Sequence, residues 1–228
     1  MYVVISSCTA RKDDSIAIPD NSRLVEPNHY LGEPLLSRLL KTRDRILSDP
    51  RTRIGKRTTY AFDLYVRAGK AYKDVFKNYY YELKSLLTSG KNFDWFFLSG
   101  GYGIIHALES ARAYQATFSR TIAHQKKIPY TGDLWRTVLP QIIDAILSKL
   151  RYDCVYVFGS RDYTDFVKET KFWRNAENSG TSVKIFESSG SAGPIWLSPI
   201  ICELVGAILN GELDSFNSRY GRLTRQRS

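Results

Sequence analysis

Phe93-Asp94-Trp95-Phe96-Phe97-Leu98-Ser99-Gly100-Gly101-Tyr102-Gly103 is an apolar run that empties into a glycine-dense turn. The run predicts a strand buried on both faces, as in a parallel sheet covered by helices. Three glycines within four positions let the backbone take positive φ and approach a bound group closely, with Ser99 and Tyr102 held at the strand end. Ligands of open α/β sheets collect outside the carboxyl ends of the strands, which makes this turn the first place to look for chemistry. A tight connection from strand into helix, with no ligand, fits the same glycines.

Working outward, residues 1–6 read as a strand of β-branched and aromatic residues that feeds the polar loop Ser7-Cys8-Thr9-Ala10-Arg11-Lys12-Asp13-Asp14. Residues 31–47 carry leucine and isoleucine at helical spacing, and residues 49–59 read as a mobile basic connection. Residues 60–70 and 71–87 fit two helices or one bent helix, closed by Gly90. Beyond the glycine turn, residues 104–130 look less regular, and residues 133–150 form the clearest amphipathic helix. Residues 153–158 predict a strand, Gly159-Ser160-Arg161-Asp162-Tyr163 a turn, residues 164–173 a helix, residues 183–186 a strand, and residues 198–209 a last helix stopped by Gly211. This alternation predicts an α/β fold with a largely parallel central sheet, flanking helices and a site at the carboxyl ends of the strands. Residues 1–216 are expected to form one α/β domain, and residues 217–228 a disordered basic tail.

Lys and Arg outnumber Asp and Glu by 33 to 23, a net charge of +10 that exceeds what solubility requires and predicts a polyanionic partner. Arg43 and Arg45, Arg51, Arg53, Lys56 and Arg57, and Lys126 and Lys127 are the expected contacts to a nucleic-acid backbone. An ordinary solvated basic surface is the alternative. The three cysteines show neither a disulfide framework nor zinc-ligand spacing, and no run approaches a membrane span. The expectation is a soluble cytoplasmic protein with no membrane association, no metal and no cofactor.

Lys12 follows the first strand, where a cation suits an anionic ligand and a desolvated amine acts as a nucleophile. A solvated surface charge is the competing reading. Cys8 is a candidate nucleophile or a packing thiol. Glu109 is the best-placed carboxylate for acid or base work, and a surface glutamate is its alternative. His106 and His124 lack a third ligand and read as structural. Most tyrosines read as core edges with wet hydroxyls, Tyr65 being retained as a base-stacking candidate.

Three of these pieces together resemble the YaaA-like families of bacterial and archaeal proteins. They are Ile5-Ser6-Ser7-Cys8-Thr9-Ala10-Arg11-Lys12 for the opening Ser-Cys-x-x-x-Lys-like loop, residues 61–65 for the Ala-x-x-Leu-Tyr segment, and residues 98–105 with Tyr114 for the Leu-Ser-x-x-Tyr-Gly element. The resemblance covers about half the chain; Gly100-Gly101 is richer in glycine than the family turn, and no helix-hairpin-helix segment is visible. It implies an α/β fold, DNA binding and a tie to oxidative DNA damage, with Ser7, Cys8, Lys12, Tyr65, Ser99, Tyr102, Gly103 and Tyr114 as the matching positions. The expectation is a DNA-binding enzyme acting on modified or damaged nucleobases, of the glycosylase or base-exchange type. Lys12, Glu109 and Tyr102 are its expected catalytic residues. Ser7, Cys8, Tyr65, Ser99, Gly100, Gly101, Gly103, Tyr114 and Ser160 are expected to bind substrate. A non-catalytic DNA-binding stress protein and a nucleotide-binding transferase for small molecules are the alternatives.

Overall fold

The computed structural model describes residues 1–179, 181–188 and 193–220. In chain order the strands are β1 (Tyr2–Ser7), β2 (Thr58–Tyr60), β3 (Phe93–Ser99), β4 (Gly103–His106), β5 (Ser110–Arg112), β6 (Cys154–Ser160) and β7 (Ser182–Ser188). The helices are α1 (Pro27–Tyr30), α2 (Leu35–Leu47), α3 (Ala61–Val66), α4 (Lys73–Ser89), α5 (Arg120–Lys126), α6 (Gly132–Arg136), α7 (Leu139–Leu150), α8 (Arg161–Lys168), α9 (Lys171–Ser179), α10 (Gly193–Asn210) and α11 (Leu213–Tyr220).

Five strands form one sheet in the order β4-β3-β1-β6-β7. β1 pairs in parallel with both β3 and β6, and β6 in parallel with β7. Valine, isoleucine and aromatic side chains fill β1, β3 and β6 almost continuously, because helices cover both faces of the sheet. Neighbouring residues of β7 show the two layers. Phe186 meets Phe216 of α11, while Glu187 accepts from Thr164 and Lys168 of α8.

Several expectations are corrected. The strand at Phe93–Ser99 does not turn into a helix: β4 folds back antiparallel on it, pairing Ser99 with Gly103. The stretch expected to be irregular contains β4, β5 and α5. The single helix expected over 133–150 is two, α6 and α7, because Pro140 lacks an N–H and its ring opposes the carbonyl one turn earlier. The connection expected to be mobile is tied down. Thr52 Oγ1 donates to the Ile46 carbonyl at 2.7 Å, Gly55 N to Ala113 O at 2.7 Å, and Gln115 N to Thr52 O at 2.6 Å. The expected disordered tail begins too early. Asn217 lies in α11 and accepts from the Tyr156 hydroxyl at 2.9 Å beside the buried Phe216, while residues 221–228 lie outside the described residues.

Candidate functional site

Counted along the chain, the parallel strands β1, β3, β6 and β7 stand in the spatial order second, first, third, fourth. The connection out of β1 runs to β3 on one side, and the chain then crosses from β3 and β4 to β6 on the other, so the topological switch point of this doubly wound sheet falls between the carboxyl ends of β1 and β6. Ser7 and Cys8 lie at the end of β1, and Gly159 and Ser160 close β6. The strands approach closely enough that a Cβ added at Gly159 stands 3.3 Å from Ser7 Cβ. Ser160 is the N-cap of α8 and makes no capping bond with its side chain.

Tyrosines crowd around the ends of β1 and β3 and the start of α8. Ser99 Oγ lies 2.6 Å from the Tyr114 hydroxyl and accepts from the Tyr102 amide at 3.0 Å and from the Tyr65 hydroxyl at 3.4 Å. Tyr65 and Tyr114 hydroxyls are 3.2 Å apart. Cys8 Sγ lies 3.7 Å from the Tyr163 hydroxyl, and Tyr72 donates to Ser6 Oγ at 2.9 Å. Burial raises Tyr65, Tyr114 and Tyr163 well above the ordinary tyrosine value, so all three stay protonated across the neutral range. The arrangement is a set of neutral phenol donors around one thiol.

Lys12 closes this set from the β1 loop. Its Nζ donates to the Thr9 carbonyl at 2.9 Å and lies 4.1 Å from the centre of the Tyr114 ring. Burial lowers its pKa, the neighbouring Cys8 opposes that shift, and Lys126 adds to it. Lys12, Ser7 and Cys8 are half-buried, whereas Arg11, Arg53, Lys56, Arg57, Lys126 and Lys127 are exposed. The basic loop is zipped to the segment that carries Tyr114 through the Gly55–Ala113 and Gln115–Thr52 bonds. A Cβ at Gly55 stands 2.7 Å from an Asp14 carboxylate oxygen, which puts that loop beside the one bearing Lys12.

Two expected site residues are placed elsewhere. Glu109 is buried, and Arg43 holds its carboxylate through Nη1, with Nη2 at 3.4 Å; the Tyr30 hydroxyl donates to it at 2.8 Å and the His106 amide at 3.3 Å. It is therefore engaged as a buried ion pair and not free for acid or base chemistry. Arg43, expected to touch phosphate, also donates to the carbonyls of Tyr102 at 2.9 Å and Ile104 at 2.6 Å. It sits on the buried face of α2 with Leu39 and Ile46, at spacings of four and three residues that mark it as inward-facing. Arg45 and Arg51 are exposed, Arg51 being paired with Asp49 at 2.6 Å.

Tyr102 touches the cluster with its ring, 5.3 Å from that of Tyr114 between centres. Its hydroxyl accepts from the Arg112 amide at 2.8 Å and faces the Arg112 carbonyl at 3.3 Å, so the phenol positions β5 against the turn. The turn glycines serve packing by the chain itself. Added Cβ atoms would come within 2.6 Å of the Ala116 backbone at Gly100, 2.7 Å of the Tyr114 ring at Gly101 and 2.5 Å of the Trp135 ring at Gly103, where φ is +71°. His106 is structural, bonded through Nε2 to Asp94 at 3.2 Å. A separate cavity of about 290 Å³, lined by Met1, Arg23, His29, Asp94 and His106, lies at the amino-terminal ends of β1 and β3, away from the cluster.

Tyr163 is the cluster member that sequence reading passed over. Its signal is position: it stands in the first turn of the helix that starts at the end of a buried strand. The fold and the cluster define an α/β protein with a doubly wound sheet and a thiol, amine and phenol constellation at its switch point. No protein-family model, curated protein or solved structure matches the chain.

Proposed function

We propose that the protein binds nucleic acid and acts on a modified or damaged base, which enters between the loops after β1 and β6 and has its N-glycosidic bond cleaved or exchanged. The observation that carries this reading is the half-buried Lys12 standing over the Tyr114–Ser99–Tyr65 cluster, with a basic loop tied alongside it. Chemistry on a base needs that base out of the duplex stack or in a single strand, and neutral phenols suit an uncharged base better than carboxylates do. The exposed cations Arg53, Lys56, Arg57 and Lys126 supply the sequence-independent grip on phosphate that the net charge of +10 also favours. In this reading Lys12 works at the sugar, Tyr65, Ser99 and Tyr114 shape the base site, and Arg43 with Glu109 holds the Tyr102 turn in place. The resemblance to the YaaA-like families points the same way.

Titration of labelled DNA at rising salt, followed by incubation with DNAs carrying different modified bases and alkaline cleavage at abasic sites, tests the proposal. Steeply salt-dependent binding of any sequence, with strand cleavage at one class of base, is the expected result. Weak DNA binding combined with thermal stabilisation by free nucleotides would replace this reading with that of a small-molecule transferase.

A further inference from the structure

We propose that Lys12 forms an imine with the aldehyde of a ring-opened abasic deoxyribose in DNA, which makes an aldehydic sugar a substrate class of this site. The inference rests on the nucleic-acid reading above and adds a covalent step to it. Lysines elsewhere in the fold show what Lys12 lacks: Lys84 pairs with Asp63 at 2.8 Å, and Lys168 reaches Asp165 at 3.7 Å. Among the described residues, no carboxylate lies within ion-pair distance of Lys12. Its Nζ donates to the Thr9 carbonyl and rests over the face of Tyr114. A half-buried amine without a counter-ion is held in place yet retains a lone pair on deprotonation, the condition an amine nucleophile requires. Burial and the nearby Lys126 both favour that deprotonated form, against the opposing influence of Cys8.

The neighbouring groups suit the rest of the step. Nζ attacks C1′ of the open-chain sugar, and one amine proton passes to the carbonyl oxygen to give a neutral carbinolamine. A second proton, taken from solvent, lets that oxygen leave as water; the remaining N–H proton of the iminium then returns to solvent, so the amine and aldehyde become a C=N bond and one water. The phenols of Tyr114 and Tyr163 remain protonated, the first with its ring beneath the amine and the second with its hydroxyl 3.7 Å from Cys8 Sγ, so the surroundings of the step hold neutral donors and, among the described residues, no competing carboxylate. No oxidant or cofactor enters this balance.

Sodium cyanoborohydride, which delivers hydride to the C=N bond and leaves a stable secondary amine, tests the inference on the full chain. The probes are an oligonucleotide with one abasic site, the same oligonucleotide without it, and free deoxyribose 5-phosphate. The expected result is a covalent protein–DNA band with the abasic strand only, mapped by peptide mass spectrometry to Lys12. Lys12→Arg, which keeps the charge but forms no imine, should reduce the band by about tenfold or more while preserving the thermal melt. Lys91→Ala, at the opposite end of the sheet, should leave the band unchanged. Adducts on other lysines, adducts with deoxyribose 5-phosphate alone, or no adduct in a protein that retains the abasic strand at low salt would each overturn the inference. Failure to retain DNA at low salt overturns the nucleic-acid reading itself.

Discussion

The Ser99 hydroxyl lies 2.6 Å from that of Tyr114 and joins the end of β3 to the segment that follows β5. The same oxygen accepts from the Tyr102 amide and the Tyr65 hydroxyl, so one buried side chain aligns two tyrosine side chains and the backbone of a third. This explains how a tight glycine turn can shape a site that its own glycines do not line.

Replacing Ser99 with Ala removes the shared partner of these buried donors without opening a large void. The expected cost is about 1–3 kcal/mol, the penalty for buried polar groups left without a partner. Urea denaturation measures it, and Tyr65→Phe, which keeps the Ser99–Tyr114 contact, should cost less.

Arg43→Met leaves the Glu109 carboxylate buried without its cation, and Glu109→Leu does the converse. Each single variant is expected to lose about 3–5 kcal/mol, and the double variant much less than the sum, because no unpaired charge remains. A double-mutant cycle by chemical denaturation decides the point. If Glu109→Gln abolished catalysis with no loss of stability, Glu109 would be a reacting group and its structural assignment would fail.

Gly103→Ala meets two obstacles, a φ of +71° and the Trp135 ring 2.5 Å from the new methyl. A loss of about 1–3 kcal/mol is expected. Gly32, where an added Cβ has nothing within 4 Å, should tolerate the same change with an effect within about 0.5 kcal/mol. Parallel thermal melts of the two variants provide the comparison.

Lys12 ties chemistry to stability through pH. Its pKa in the folded protein lies below the unfolded value near 10.5, shifted by burial and by Lys126 against the influence of Cys8. The unfolded chain therefore binds more protons between those two values, and this group's contribution to stability rises with pH across that window. Below it, the buried ammonium is a constant handicap. Lys12→Met should melt higher than the parent at neutral pH, and its advantage should shrink as pH rises toward 10.5. An advantage that grows with pH would contradict the assigned direction.

Much of the architecture is legible along the chain. Apolar runs at β1, β3 and β6, the leucine spacing of α2 and the cap at Gly90 reflect local periods and backbone preferences that neighbouring residues carry among themselves. Pro140 marks the division of the long helix, and the place of Arg43 between Leu39 and Ile46 marks it as inward-facing. Both signals are local and were present in the residue order.

Other features belong to three-dimensional packing. No spacing rule predicts that Arg43 meets Glu109, 66 positions away, or that Cys8 meets Tyr163, 155 positions away. Nor does any rule place the Lys12 amine on the Tyr114 ring or turn Gly101 toward the protein interior. Residue order states which side chains an element turns inward, since that follows from periods of 3.6 and 2.0 residues. Which inward faces meet depends on strand order and crossover, and these are settled only when the whole core closes at once.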